Sequence, residues 1–138
     1  MSALYMLDTD TCAFILRRTS QELLDRIQTV PLEFQCISVV TLAELLYGVE
    51  ISAKKKANRA AVDALVRHVA VLDWSSVAAE HYAEIRADLK KQGQLIGAND
   101  LLIAAHARGL GATVITNNLK DFKRVRQLRV ENWVKRTK

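Results

Sequence analysis

Leu4-Tyr5-Met6-Leu7, followed by Asp8-Thr9-Asp10-Thr11 and then by Cys12-Ala13-Phe14-Ile15-Leu16, is the stretch whose reading decides the fold. A short apolar run, a polar cluster rich in cap-forming residues and an apolar segment with helix-compatible content read as strand, acidic loop and helix. The unit recurs. Residues 34–38 form a second strand candidate leading into residues 39–51, which are apolar nearly all round, as in a buried helix. Residues 57–69 and 76–92 show 3.6-residue spacing, the latter through Val77, Tyr82, Ile85 and Leu89, and both are expected to be helices. Residues 69–72 and 112–116 are further strand candidates, and residues 130–133 a weaker fifth. A helix over residues 101–108 precedes the fourth strand, with Gly109 as its expected stop. Strands alternating with helices require crossover connections. The expected fold is therefore α/β, with a mostly parallel central sheet of about five strands and helices on both faces. No repeat or linker interrupts the pattern, so residues 1–138 are expected to form one domain.

Composition agrees with a soluble globular protein: half of the 138 residues are hydrophobic and a quarter charged. Five Gly and one Pro exclude collagenous or low-complexity classes. No apolar run approaches the roughly 20 residues needed to cross a bilayer. The start, Met-Ser-Ala-Leu-Tyr-Met-Leu-Asp, has no basic stretch ahead of an apolar core, which argues against a secretory signal. Cys12 and Cys36 form no Cys-x-x-Cys, and two thiols make no disulfide framework, so both are expected buried and reduced in a cytoplasmic protein. The net charge of +5 is unevenly placed. From Lys120 to Lys138 eight basic residues stand against Asp121 and Glu131, a net +6, while the preceding residues sum to −1. That end attracts polyanions, although a solvated charged face serving solubility has the same signature.

In open parallel sheets ligands bind outside the carboxyl ends of the strands, which directs attention to residues 8–11, 38–41, 73–76 and 116–118. Asp8 is either a site carboxylate or the N-cap of the next helix, a role for which Asp10 competes. Glu44 is the only charged residue between Glu33 and Glu50. An ionised carboxylate on an apolar helix is costly unless it is paired. Thr41-Leu-Ala-Glu44 could be a capping box, whereas Ser38 as the cap would place Glu44 inside the helix. Asp100 favours the start of its helix through the helix dipole with no function required. Asn118 and Asp121 could cap a short helix. The case for chemistry rests on the combination, because Asp8, Glu44, Asp100 and Asp121 lie on separate segments that a parallel sheet brings to one rim.

Carboxylates about 4 Å apart repel by roughly 4 kcal/mol per pair at an effective dielectric near 20, so such a cluster either protonates or binds a cation. All-oxygen ligands suit Mg²⁺ or Mn²⁺ rather than zinc. The histidines His68, His81 and His106 fall on three different predicted helices without a Cys/His cluster, and are expected to be ordinary, partly exposed residues. Two other classes compete. A phosphoacceptor domain would need a lone Asp after a central strand and a Lys after the last, and this chain has neither. A noncatalytic basic RNA-binding module explains the C-terminal charge but leaves Glu44 unexplained; Mg²⁺ binding separates it from a nuclease.

Four motifs in order carry a family resemblance: Tyr5-Met-Leu-Asp8-Thr-Asp10, then Ser38-Val-Val-Thr-Leu-Ala-Glu44-Leu-Leu-Tyr-Gly48, then Ile96-Gly-Ala-Asn-Asp100-Leu-Leu-Ile-Ala-Ala-His106-Ala, and last Val114-Ile-Thr-Asn-Asn118 with Asp121-Phe122. Over essentially its whole length the chain resembles PIN-domain ribonucleases of the VapC toxin type. The resemblance implies a Mg²⁺-dependent endoribonuclease, with Mn²⁺ as substitute, that forms homodimers and is bound by a cognate VapB-like antitoxin. Asp8, Glu44 and Asp100 match the family's acidic triad and would hold the metal. The family usually reads Asp-Thr-Asn where this chain has Asp8-Thr9-Asp10, and often Thr-x-Asp where it has Thr116-Asn117-Asn118. The fourth catalytic carboxylate is accordingly assigned to Asp121, with Asn118 as a neutral oxygen donor and Thr9 and Thr116 orienting the carboxylates. Lys-Lys-Gln-Gly93-x-x-Ile-Gly resembles members that cut initiator tRNA in the anticodon loop.

Overall fold

The structure, a computed structural model, describes residues 3–18 and 20–134. Lys135, Arg136 and Lys138 of the basic C-terminal segment lie outside the described residues. The chain runs β1 (Tyr5–Leu7), α1 (Thr9–Arg17), α2 (Gln21–Thr29), a 3-10 turn (Leu32–Phe34), β2 (Gln35–Ser38), α3 (Val39–Glu50), α4 (Lys55–Val66), β3 (Ala70–Leu72), α5 (Ser76–Lys91), α6 (Ala98–Leu110), β4 (Thr113–Ile115), α7 (Leu119–Phe122) and β5 (Arg129–Glu131). The five strands form one sheet in the order β3-β2-β1-β4-β5, and every pairing is parallel.

Alternation along each strand divides the core in two. Met6, Cys36 and Val114 point to one face, where they pack with Ile85 and Leu89 of α5, Leu101 and Ile103 of α6 and Phe122 of α7. Their neighbours Leu7, Ile37 and Ile115 point to the other, against Cys12, Leu23, Leu45, Val49 and Val62 from α1 to α4. Both faces are thus covered by helices. Cys12 and Cys36 are buried and unpaired, as their spacing implies. Among the described residues no helix is long and apolar enough to cross a membrane.

Winding proceeds outward from β1 through β2 to β3, then resumes on the other side of β1 with β4 and β5. The reversal falls between β1 and β4. Crossovers leave that point in opposite directions and open a crevice above the strand ends.

Three details depart from the sequence reading. Residues 21–29 form α2, which the sequence analysis did not foresee; only Leu23 on it is fully buried, and its start depends on Ser20, whose hydroxyl accepts from the Leu23 amide. The stop of α6 is Gly111, not Gly109: Gly111 has φ 69°, the left-handed turn that glycine adopts without Cβ strain. Gly109 instead lies where α5 passes closely, and a Cβ there would stand 3.4 Å from carbons of His81 and Val77. Finally, α3 is buried on one side only. Thr41, Leu45 and Val49 face inward, while Tyr47 and, just beyond the helix end, Ile51 are about two-thirds exposed at 65% and 67%.

Candidate active site

Asp8 follows β1 directly. Its amide donates to the Ile115 carbonyl at 3.0 Å, which fixes it beside the end of β4. It is also the N-cap of α1, its Oδ1 accepting from the Thr11 amide at 2.8 Å. The capping and site readings of Asp8 are therefore compatible, and Asp10 occupies the first turn of α1. Asp8 is 2% exposed. Burial raises its pKa to about 6, outweighing the hydrogen bonds from Thr116 and Thr11, with the nearby Asp10 charge adding to the rise.

Ser38 caps α3, its hydroxyl accepting from the Val40 amide at 3.1 Å, so Glu44 lies inside the helix and forms no capping box with Thr41. Glu44 Oε1 accepts a hydrogen bond from the Thr9 hydroxyl. Its Oε2 accepts from Asn99 Nδ2 at 2.8 Å. Those two donors answer the cost of a carboxylate on an apolar helix.

Asp100 stands in the first turn of α6, half-buried. Burial raises its pKa, the Glu44 carboxylate adds to this, the Asn118 amide opposes it, and Asp10 and Asp121 raise it further. Asn118 Nδ2 lies 3.0 Å from Asp121 Oδ2 and 3.5 Å from Asp100 Oδ2. It meets the carboxylates through its nitrogen, so the neutral oxygen donor expected from the sequence is a neutral N–H donor. The Asn118 amide in turn donates to Thr116 Oγ1 at 2.8 Å, closing the turn after β4. Asp121 also faces Arg124 at 3.7 Å.

The topology thus brings Asp8, Glu44, Asp100 and Asp121 to one rim, with Thr9 on Glu44 and Thr116 on Asp8. Among the described residues, Asp8, Glu44 and Asp100 form no ion pair with Lys or Arg. Also among the described residues, no three Asp, Glu, His or Cys side chains are grouped tightly enough to hold a metal ion as they stand. The chemistry of the donor set nonetheless fits a hard divalent cation. The donors are oxygens, Asp8, Glu44 and Asp100 have no protein cation among the described residues to compensate their charge, and Asp8 and Asp100 are driven toward protonation by burial and by neighbouring carboxylates. Mg²⁺ binds through few protein carboxylates and keeps several waters, so it needs no closed protein cage.

Sequence reasoning did not assign Asn99 a place here. Asn99 had a signal, adjacent to Asp100 at a helix start, but a turn residue reads the same way. His106 was expected to be partly exposed and is 2% exposed, bonded to Ser38. Three arginines of the basic segment are engaged within the protein. Arg124 donates to the Gln94 and Leu95 carbonyls, Arg126 faces Asp88 at 3.6 Å, and Arg129 donates to the Gly111 carbonyl. Lys120 and Lys123 are exposed and carry no ion pair among the described residues.

A family model for the PIN domain matches residues 5–128. A ribonuclease VapC2 of Haemophilus influenzae is 42% identical over 130 residues, covering 94% of this chain and 98% of that protein. A tRNA(fMet)-specific endonuclease VapC of Salmonella typhimurium is 39% identical, covering 94% and 97%. The crystal structure of DNA-bound VapBC from Salmonella typhimurium superimposes with a TM-score of 0.91 at 38% identity, covering 96% of this chain and 99% of that one. With a parallel sheet, a crevice at its winding reversal and a carboxylate rim in that crevice, this chain belongs to the PIN-domain family, among the VapC ribonucleases.

Proposed function

We propose that the protein, acting as one domain over residues 1–138, is the toxin of a toxin–antitoxin pair and hydrolyses RNA phosphodiester bonds with Mg²⁺, Mn²⁺ serving as substitute. The observation that carries this reading is the rim itself, where Asp8, Glu44 and Asp100 converge from three segments without a protein cation. Asp8 and Asp100 would hold the ion, with Glu44 and Asp121 completing the pocket directly or through water. A cation held there would supply a nucleophilic water at neutral pH and would neutralise charge that develops on the phosphate.

The chain's own residues prepare that site. Thr11 and Thr116 fix the buried Asp8 carboxylate through hydrogen bonds. Thr9 and Asn99 hold both oxygens of Glu44, so its orientation is set before RNA arrives. Asn118 joins Asp100 to Asp121 and lowers their mutual repulsion without adding charge. Lys120 on α7 and Lys123 at its end are exposed and can meet phosphate groups without reading sequence. Substrate choice then falls to RNA shape and unstacked bases. The relatives named tRNA(fMet)-specific endonucleases support initiator tRNA as the substrate, and in this reading the cut falls in its anticodon loop. The VapBC complexes among the structural relatives support an antitoxin partner, which would place a basic side chain against the rim, and we include a homodimer of the toxin in this reading.

The test is cleavage of initiator tRNA by purified protein with Mg²⁺, with Mn²⁺ and with chelator. Asp8→Asn and Asp100→Asn are expected to abolish cleavage while keeping a cooperative melt. Wild-type rates in either variant, once contaminating nuclease is controlled for, would overturn the metal assignment.

A further inference from the structure

His106 is buried on α6, six residues beyond Asp100, and its side-chain partner is Ser38 rather than a carboxylate of the rim. Its Nδ1 lies 2.8 Å from Ser38 Oγ, and the ring also hydrogen-bonds the Asp73 backbone. Ser38 is fully buried, and its Oγ accepts from the Val40 amide as the cap of α3. The partners' requirements fix the proton positions. The Asp73 carbonyl can only accept, so it takes the single N–H of the neutral ring. Nδ1 is then left without a proton and accepts from the Ser38 hydroxyl. Burial lowers the ring's pKa, which keeps it neutral and able to play both parts.

One side chain therefore joins the start of α3, the end of β3 and the middle of α6. Those two helices carry Glu44 and Asp100 and meet beside them, where Asn99, the residue before Asp100, donates to Glu44 Oε2 at 2.8 Å. Glu44 lies six residues along α3 from Ser38, as Asp100 lies six along α6 from His106. A Leu of similar volume would fill the space, but it would leave Ser38 without its acceptor and the Asp73 carbonyl without its donor. Buried polar groups that lose partners shift the elements bearing them.

We propose that His106 is a positioning residue: by accepting from the Ser38 hydroxyl and reaching the Asp73 backbone, it sets α3 against α6 and so fixes the separation of Glu44 and Asp100 on which divalent-cation binding at the rim depends. The proposal rests on the metal reading above. Outer partners that hold metal ligands in place typically account for about 10- to 100-fold in affinity.

The experiment measures Mg²⁺ and Mn²⁺ binding to the purified protein by calorimetry, without RNA, for wild type, His106→Leu, His106→Asn and Ser38→Ala. His106→Leu is expected to weaken binding about 10-fold and to lower kcat with little change in KM for RNA. Asn can present its side-chain oxygen to the Ser38 hydroxyl, and His106→Asn is expected to recover most of the loss. Ser38→Ala combined with His106→Leu should cost no more than the worse single change. A His106→Leu protein that binds Mg²⁺ as wild type does, or an Asn variant no better than Leu, overturns the positioning role while leaving the metal reading intact. Failure of the wild type to bind either metal overturns the metal reading, and this proposal with it. Should His106→Leu not fold, long-range ¹⁵N–¹H spectra of the wild type decide: a neutral ring with Nδ1 unprotonated is expected, and an Nδ1–H tautomer refutes the bond network.

Discussion

Replacing Asp8 by Asn removes a buried charge and keeps the cap, since Asn also accepts from the Thr11 amide. The pKa of Asp8 rises from 3.8 to about 6 on folding. Between those values the native state holds a proton that the unfolded chain has released, so stability falls as pH rises through this window. At 1.36 kcal/mol per unit, the ionised group costs about 3 kcal/mol above pH 6 relative to pH below 4. Asp8→Asn should therefore match wild type near pH 4 and exceed it by up to about 3 kcal/mol at pH 7.5, on the order of 10 °C in Tm. The assay is a series of melts from pH 4 to 8 in chelator, read as the difference between the proteins so that other carboxylates cancel. A variant less stable than wild type at pH 7.5, or a difference flat across pH 4 to 6, refutes the reasoning. Either result would mean that the carboxylate's hydrogen bonds, and not its burial, dominate.

Cation binding should offset the same cost: with a dissociation constant of about 1 mM, 10 mM Mg²⁺ adds roughly 1.4 kcal/mol to wild type, measurable as a rise in Tm, and adds less to Asp100→Asn. Asn99→Ala frees one oxygen of Glu44 at an exposed position, so cleavage should fall about 10-fold while Tm moves by under about 1 °C; an unchanged rate would show that Thr9 alone orients Glu44. Gly111→Ala forces a Cβ into the left-handed region and should cost about 1 kcal/mol in chemical denaturation with the rate preserved. Expression of the wild-type chain should arrest growth, expression of Asp100→Asn should not, and colony counts on inducing plates read the difference.

The strands and most helices were legible because their apolar residues recur at the periods that burial imposes. α2 was not, since Gln21–Thr29 interrupts Leu23 and Ile27 with charged and amide residues and relies on a single serine cap. Glu44 could be picked out because a lone carboxylate on an apolar helix demands partners; which partners, Thr9 and Asn99, depended on the packing of α1 and α6 beside α3. The neutrality and burial of His106 had no sequence signature at all. A histidine on a helix reads alike whether it faces solvent or a serine hydroxyl on another element. Tyr47 and Ile51 misled in the opposite sense, since apolar character alone does not reveal which side of α3 the sheet takes.

The strand order has a consequence in time. β1 sits at the centre of the sheet, yet one of its two neighbours, β4, lies more than 100 residues away along the chain, and Thr11, whose amide holds Asp8, donates its hydroxyl across a separation of 104 to the Ile115 carbonyl. At typical rates of synthesis, on the order of 10 s separates translation of Asp8 from that of Asp121. Throughout that interval the ribosome carries an incomplete set of the four carboxylates, and closure of so distant a pairing comes late in folding. A nascent chain thus lacks the assembled rim until most of the molecule has been synthesised.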